Sequence, residues 1–335
     1  MPCAPVGDCQ PEWLPLVTAS ATGERQRLQT NDLYRRLFRT ALLIRLVEER
    51  IIQLYPSDRI QSPVHLSIGQ EAVAVGVCDA LKPDDLVFAT YRSHGFYIAK
   101  GGPLDAMFAE LYGRLGGISK GKAGSMHLSA PEVGLMGSSA VVASTIPHAV
   151  GAALSFKRTG SPRVAVAVFG DGATEEGVYH ESLNFASLMK VPVLFICEDN
   201  GLAVHSFRHV RQAYRLPEHA ATFGIESRRV EEGGDVLAVR QATLDALAVV
   251  RTGKPFVLEI ATGRYKEHVG VGDDFHFGYR SADDIDAWKA RDPLILDRKL
   301  VEELTPEIER EIAAAVEFAE RSPAPGRGEL LTDVI

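Results

Sequence analysis

Asp171 and Asn200 are the two residues of this 335-residue chain whose types and spacing are best suited to holding an ion. Val164 to Phe169 is a near-continuous apolar run and reads as a strand buried on both faces. It breaks at Gly170-Asp171-Gly172-Ala173, a tight turn bearing one acid. Thr174-Glu175-Glu176 then supplies helix-start residues, and Val178, Leu183, Phe185 and Leu188 mark a helix to about Met189. A second apolar run, Val191 to Cys197, closes on Glu198-Asp199-Asn200-Gly201. Neighbouring parallel strands set two such turns side by side, at the edge where open α/β sheets bind ligands. Glycine lets the backbone approach a bulky anion, and the following helix aims unpaired N–H groups at phosphate. A carboxylate in that turn repels phosphate unless a cation stands between them. Asp171 and the amide oxygen of Asn200 are hard oxygen ligands of the kind that Mg²⁺ shares with phosphates. GDG alone is more often an ordinary capped turn; the thirty positions from Gly170 to Asn200, with strand-helix-strand between, set this one apart. A dinucleotide fingerprint fits poorly, because the third glycine position is Glu175, which would crowd and repel a pyrophosphate.

The elements that must position this pair are legible around it. Leu33, Leu37, Ala41, Ile44, Ile51 and Leu54 step helically from a cap at Thr30 or Asn31 to Pro56, with Glu48 alone breaking the stripe. His65 to Leu81 reads as a turn feeding a helix with Gln70-Glu71 in its first turn, and Leu86 to Thr90 as a short strand. At that strand's end, Tyr91 and Arg92 suit a phosphate, as hydroxyl donor and charged fork, and suit a surface turn equally well. A helix over about Pro103 to Tyr112 leads to five glycines in twelve positions between Gly113 and Gly124, a mobile connector or a lid. Gly137 to Pro147 is built of small residues, which let a flat ring rest on backbone or let helices pack closely. Beyond the central unit, Phe207 to His219 is a polar connection, Arg228 to Val230 a short strand, Asp235 the cap of a helix to about Arg251, and Pro255 to Ile260 a buried strand. His268 follows that strand in a glycine- and acid-bearing loop, where a lone histidine is usually just solvated. Asp283 to Ala290 reads as a helix that Asp292-Pro293 ends, and Thr305-Pro306-Glu307 as the cap of a final amphipathic helix. The alternation predicts an α/β fold, a mostly parallel central sheet flanked by helices. It covers one domain, 31–323, between an arm at 1–30 and a tail at 324–335.

Composition bounds the function. Hydrophobic residues are 46% and charged residues 24%, and a net charge of −8 without a basic face argues against nucleic acid as partner. No run approaches the roughly eighteen apolar residues of a membrane span. Cys3, Cys9, Cys78 and Cys197 lack metal-ligand spacing and make no disulfide framework, and the first thirty residues lack a signal or transit pattern, so a cytoplasmic location is expected.

YRSHG, GKAGSMH, IPHAVGAAL, GDGATEEG with NFA downstream, EDN and the RYKEH loop occur in one order between about Asn31 and Pro323. In that order they resemble the alpha subunit of the thiamine diphosphate-dependent decarboxylating component of 2-oxoacid dehydrogenases, the pyruvate, branched-chain and acetoin family. The resemblance implies the thiamine diphosphate-binding fold, with Asp171, Asn200 and the carbonyl of Leu202 as ligands of Mg²⁺. It implies that the turn at Gly170, with the N–H groups of Gly172 and Ala173, receives the diphosphate, and that Tyr91 and Arg92 grip its outer oxygens. Ala140 and Val142 would meet the aminopyrimidine ring through backbone atoms. His268 would stand near the phosphates and the reacting centre, with His94 and His127 as further catalytic candidates. The reaction implied is decarboxylation of a small 2-oxoacid with acyl transfer to a lipoyl acyltransferase, the activating glutamate coming from a beta subunit in an α₂β₂ assembly. Two alternatives stay open: a two-carbon transferase using a carbonyl acceptor, and a noncatalytic cofactor-binding subunit. Val269 stands where regulated mitochondrial relatives carry a phosphorylatable serine, so kinase control is not expected there.

Overall fold

A computed structural model describes residues 32–333, and the expected arm at 1–30 with its helix cap lies outside them. From Leu37 onward the chain forms one compact unit. Its elements run α1 (Asp32–Leu54), α2 (Glu71–Ala80), β1 (Leu86–Thr90), α3 (His94–Ala99), α4 (Leu104–Leu111), β2 (Leu135–Ser139), α5 (Thr145–Thr159), β3 (Ala165–Gly170), α6 (Gly177–Met189) and β4 (Val193–Asp199). A two-residue hairpin, β5 (Leu202–Ala203) and β6 (Ser206–Phe207), leads into α7 (Arg208–Arg211) and α8 (Leu216–Thr222). Then follow β7 (Glu226–Val230), α9 (Val236–Val250), β8 (Phe256–Ala261), α10 (Asp283–Lys289), α11 (Pro293–Leu296) and α12 (Arg298–Arg321).

Six strands pair in the order β2-β1-β3-β4-β8-β7, every pairing parallel. The two apolar runs of the central unit are its middle strands, and every residue of β4 is buried. Alternate residues divide between the two faces. Ala165, Ala167, Phe169, Val193, Phe195 and Cys197 share one core with Ile146, Ala149 and Ala153 of α5 and Leu183 and Ala186 of α6. α9 packs on β8 and β4 and against α2. Asp235 caps α9 as its sequence suggests, its carboxylate accepting from the N–H groups of Leu237 and Ala238, a cap that contributes about 1 kcal/mol.

Several segments differ from their sequence reading. The final helix begins at Arg298, capped by Asp297, and runs through Pro306. Pro306 and Glu302, whose carbonyl loses its helical partner, are both exposed to solvent, a setting in which a helix tolerates proline. The polar stretch after Phe207 holds two short helices, and the residues after Arg92 begin α3. The glycine-rich loop is anchored. The buried carboxylate of Glu110 accepts from four of its backbone N–H groups: Ser119 (2.8 Å), Gly121 (3.0 Å), Ala123 (2.7 Å) and Gly124 (3.0 Å). Lys120 and Lys122 tie it to Glu329 and Asp333 in the C-terminal segment. Glu48, the break in the α1 stripe, is wholly buried because it accepts from Ser67 N (2.8 Å) and Ser67 Oγ (3.0 Å) and faces His94 Nδ1 at 3.1 Å.

Candidate functional site

Sheet topology fixes where a ligand can enter. β1 is flanked by β2 on one side and β3 on the other, so the chain reverses direction across the sheet there and leaves a crevice at the carboxyl edge. A cavity of about 280 Å³ occupies it, walled by the ends of β1 (Tyr91, Arg92), β2 (Ser139) and β3 (Gly170 to Ala173) and by the loop after β4 (Asn200, Leu202). Gly170 pairs with Glu198 in register, which brings the Asp171 turn and Asn200 to neighbouring strand ends. Gly172 must be glycine: a Cβ there would lie 2.8 Å from Ala203 Cβ. The hairpin tip carries Val204 at φ +54°, a backbone region that β-branched residues rarely adopt.

The charges converge on Asp171. Its carboxylate is buried and accepts from Arg211, whose other nitrogen reaches Glu175. Burial and then the nearby Asp199 push its carboxyl up to about 6, against the pull of Arg211. Asp199 is itself paired with Arg208 and with Arg229, the latter at 2.6 Å. Asn200 Oδ1 accepts from Leu202 N (3.1 Å) and its Nδ2 donates to Gln70 Oε1 (3.0 Å). Among the described residues no group of three or more His, Cys, Asp and Glu could hold a metal. Any cation here would be shared by one carboxylate, one amide and main-chain oxygen, a set that suits Mg²⁺ when phosphate completes the shell.

Arg92, also in the cavity lining, is buried, donating Nη1 to the Leu66 carbonyl and Nη2 to the His268 carbonyl (3.1 Å). Burial, helped by Arg264, brings its guanidinium down to about 10, so it remains a cation at neutral pH. His268 meets the Tyr91 ring edge-on and His65 lies tilted against it, with centroids 5.7 and 4.4 Å away. Burial and then Arg92 push each imidazole down to about 3. Arg264 Nη1 lies 3.4 Å from His268 Nδ1. A guanidinium only donates, so His268 is neutral with its proton on Nε2.

Of the residues singled out from sequence, Tyr91, Arg92, Val142, Gly170, Asp171, Gly172, Ala173, Asn200, Leu202 and His268 share the cavity wall. Three do not reach it. Ala140 is passed over between Ser139 and Val141. His127 is exposed, its Nδ1 3.3 Å from the Ser138 carbonyl. His94 is fully enclosed between Glu48 and Ser125, with Nε2 2.8 Å from Ser125 Oγ. Gln70, Glu198 and Arg264 also line the cavity; Glu198 and Arg264 lie in the EDN and RYKEH segments, where the sequence reading gave neither a role. Burial raises the Glu198 carboxyl to about 7. His65 Nδ1 is buried with no hydrogen-bond partner among the described residues. The one available signal was position: Gln70 opens a helix, and Glu198 sits two residues before Asn200.

Residues 39–326 match the family model described as dehydrogenase E1 component. The chain is 37% identical to the pyruvate dehydrogenase E1 component subunit alpha of Zymomonas mobilis, over 99% of this chain and 95% of that protein. It is 34% identical to the alpha subunit of acetoin:2,6-dichlorophenolindophenol oxidoreductase of Bacillus subtilis, over 89% of this chain and 92% of that one. With the pyruvate dehydrogenase E1 component subunit alpha of Rhizobium meliloti it shares 37% identity, over 89% and 88%.

Proposed function

The chain belongs to the dehydrogenase E1 component family, and from that premise we propose that it is the alpha subunit of a 2-oxoacid dehydrogenase using thiamine diphosphate and Mg²⁺. Its substrate would be a pyruvate-like or branched-chain 2-oxoacid, and its acceptor a lipoyl group. The observation that carries this reading is the meeting of Asp171 and Asn200 at neighbouring strand ends, in a cavity that Arg92 and His268 also line.

The residues present fit the group. Gly172, packed against Ala203 with no room for a side chain, offers a close backbone approach. Asp171 is a buried carboxylate that needs a cation, and Arg211 is its present partner. Asp171, Asn200 and the Leu202 carbonyl would hold Mg²⁺, while the N–H groups of Gly172 and Ala173 with Tyr91 and Arg92 would take the diphosphate. Val142 would meet the pyrimidine ring through backbone, a role that Ala140, off the cavity wall, does not share. When bound, thiamine diphosphate supplies the electron sink that loss of CO₂ from a 2-oxoacid requires. Neutral His268 is a hydrogen-bond donor at Nε2, and it stabilises negative charge on substrate or phosphate oxygen without adding a cation. An activating glutamate would come from a beta subunit, giving an α₂β₂ assembly that works in the cytoplasm.

Titration calorimetry on the co-purified two-subunit assembly tests this. Thiamine diphosphate uptake is expected to require Mg²⁺. Asp171→Ala is expected to cost more than the roughly 10–100-fold that losing a ligand's hydrogen-bond partner costs. Uptake indifferent to divalent ion overturns the reading. Supplying pyruvate with either a lipoyl domain or an aldehyde identifies the acceptor: an acyl-lipoyl product supports the dehydrogenase, and an acyloin alone supports a transferase instead.

A further inference from the structure

An amide side chain offers a cation only one of its two ends, so something must fix which end of Asn200 faces the cavity. Gln70 is 1% exposed and lines the same wall. Its Oε1 accepts from Asn200 Nδ2 at 3.0 Å, and its own Nε2 donates to Glu198 Oε1 at 3.3 Å. Flipping Asn200 would turn its oxygen against Gln70 Oε1 and its NH₂ against the Leu202 N–H, which now donates to Oδ1 at 3.1 Å. One lone pair of Oδ1 is thereby used and the other is left for a cation. The backbone that carries Gln70 is clamped as well. Gln70 N donates to Ser67 O at 2.7 Å, and Thr262 Oγ1, just past β8, donates to Gly69 O at 3.3 Å. Gly69 has φ +96°, and a Cβ there would lie 2.2 Å from the Gly263 carbonyl oxygen.

We propose that Gln70 is a positioning residue for the metal site, locking the Asn200 amide through the chain Glu198–Gln70–Asn200 so that Oδ1 is presented to the divalent cation. The proposal rests on the metal reading above. Removing the hydrogen-bond partner of a metal ligand typically weakens metal binding roughly 10–100-fold.

The test is a double-mutant comparison, with Mn²⁺ as the probe ion followed by its paramagnetic resonance in the assembled enzyme with thiamine diphosphate. Gln70→Met, which keeps the length and loses both polar ends, is expected to weaken Mn²⁺ binding about 10-fold or more. In an Asn200→Asp background, where either carboxylate oxygen serves and nothing needs orienting, the same change is expected to cost less than about threefold. A role confined to folding would move both backgrounds alike, and that result overturns the proposal, as does Gln70→Met binding Mn²⁺ within twofold of the parent. If Gln70→Met does not assemble, Gln70→Ala removes the same two bonds without filling space and gives the same comparison. A parent enzyme that takes up no Mn²⁺ with thiamine diphosphate overturns the metal reading itself, a distinguishable failure.

Discussion

Asp171 and Asn200 were legible because each sits where an apolar run stops, a purely local signal. His65, Gln70 and Glu110 were not, because what they do depends on segments far along the chain: Gln70 meets Asn200 across 130 positions. His65 and His268 have a consequence that can be measured. An unfolded imidazole takes its proton near pH 6.5, whereas both of these resist it until about 3 because of burial and Arg92. Between those values the unfolded chain binds more protons. Their contribution to stability is therefore complete above about pH 6.5 and is lost as pH falls toward 3. Asp171 and Glu198, whose carboxyls are raised, act in the opposite sense and stay the same in a histidine comparison. Urea unfolding from pH 7 to 4 is expected to fall more steeply for the parent than for a His65→Gln/His268→Gln variant, by up to roughly tenfold in the folding equilibrium per pH unit and imidazole. Parallel curves would show that neither ring is held neutral.

Elements bounded by local breaks were readable to within a residue or two, as β1, β8 and α10 show, while the amphipathic α12 begins at Arg298, ahead of the cap expected at Thr305. Loops were not, because glycine content reports freedom of the unfolded chain and is silent about what ties the loop down. The segment from Gly113 to Gly124 has the composition of a lid and the bonding of an anchored connector, since Glu110 of α4 takes four of its N–H groups. Nothing in the sequence separates Glu110 from an ordinary helical glutamate. Gly117 marks how closely the two pack, because a Cβ there would lie 2.4 Å from Glu110 Oε2. Glu110→Gln replaces one acceptor oxygen by an NH₂ group and leaves two of the four N–H groups facing a donor. The expected cost is about 2–4 kcal/mol of stability, read by chemical denaturation, together with faster proteolysis between Gly113 and Gly124. Wild-type stability in this variant would mean that the lysine ties to the C-terminal segment suffice without Glu110.

At the scale of the molecule, the parallel sheet and its ligand edge follow from apolar runs alternating with helices, whereas apolar exposure around the cavity has no sequence signature at all. The wall shows it in its valines. Val141 is 67% exposed, Val204 47% and Val142 44%, although all three line the cavity. Apolar side chains this exposed beside a binding site are the kind of surface that a partner covers, and the proposed beta subunit, bringing the activating glutamate, is the partner that the functional reading requires. The alpha chain alone is therefore expected to bind Mg²⁺ and diphosphate weakly and to turn over no 2-oxoacid. Adding the beta subunit is expected to restore turnover and to slow amide hydrogen exchange in peptides spanning 140–143 and 203–207, where the valines sit. Protection in those peptides without turnover would leave the interface in place and remove the glutamate from it. Full activity of the alpha chain alone, with exchange unchanged on mixing, would show that this cavity needs no second chain, and the α₂β₂ reading would fall with it.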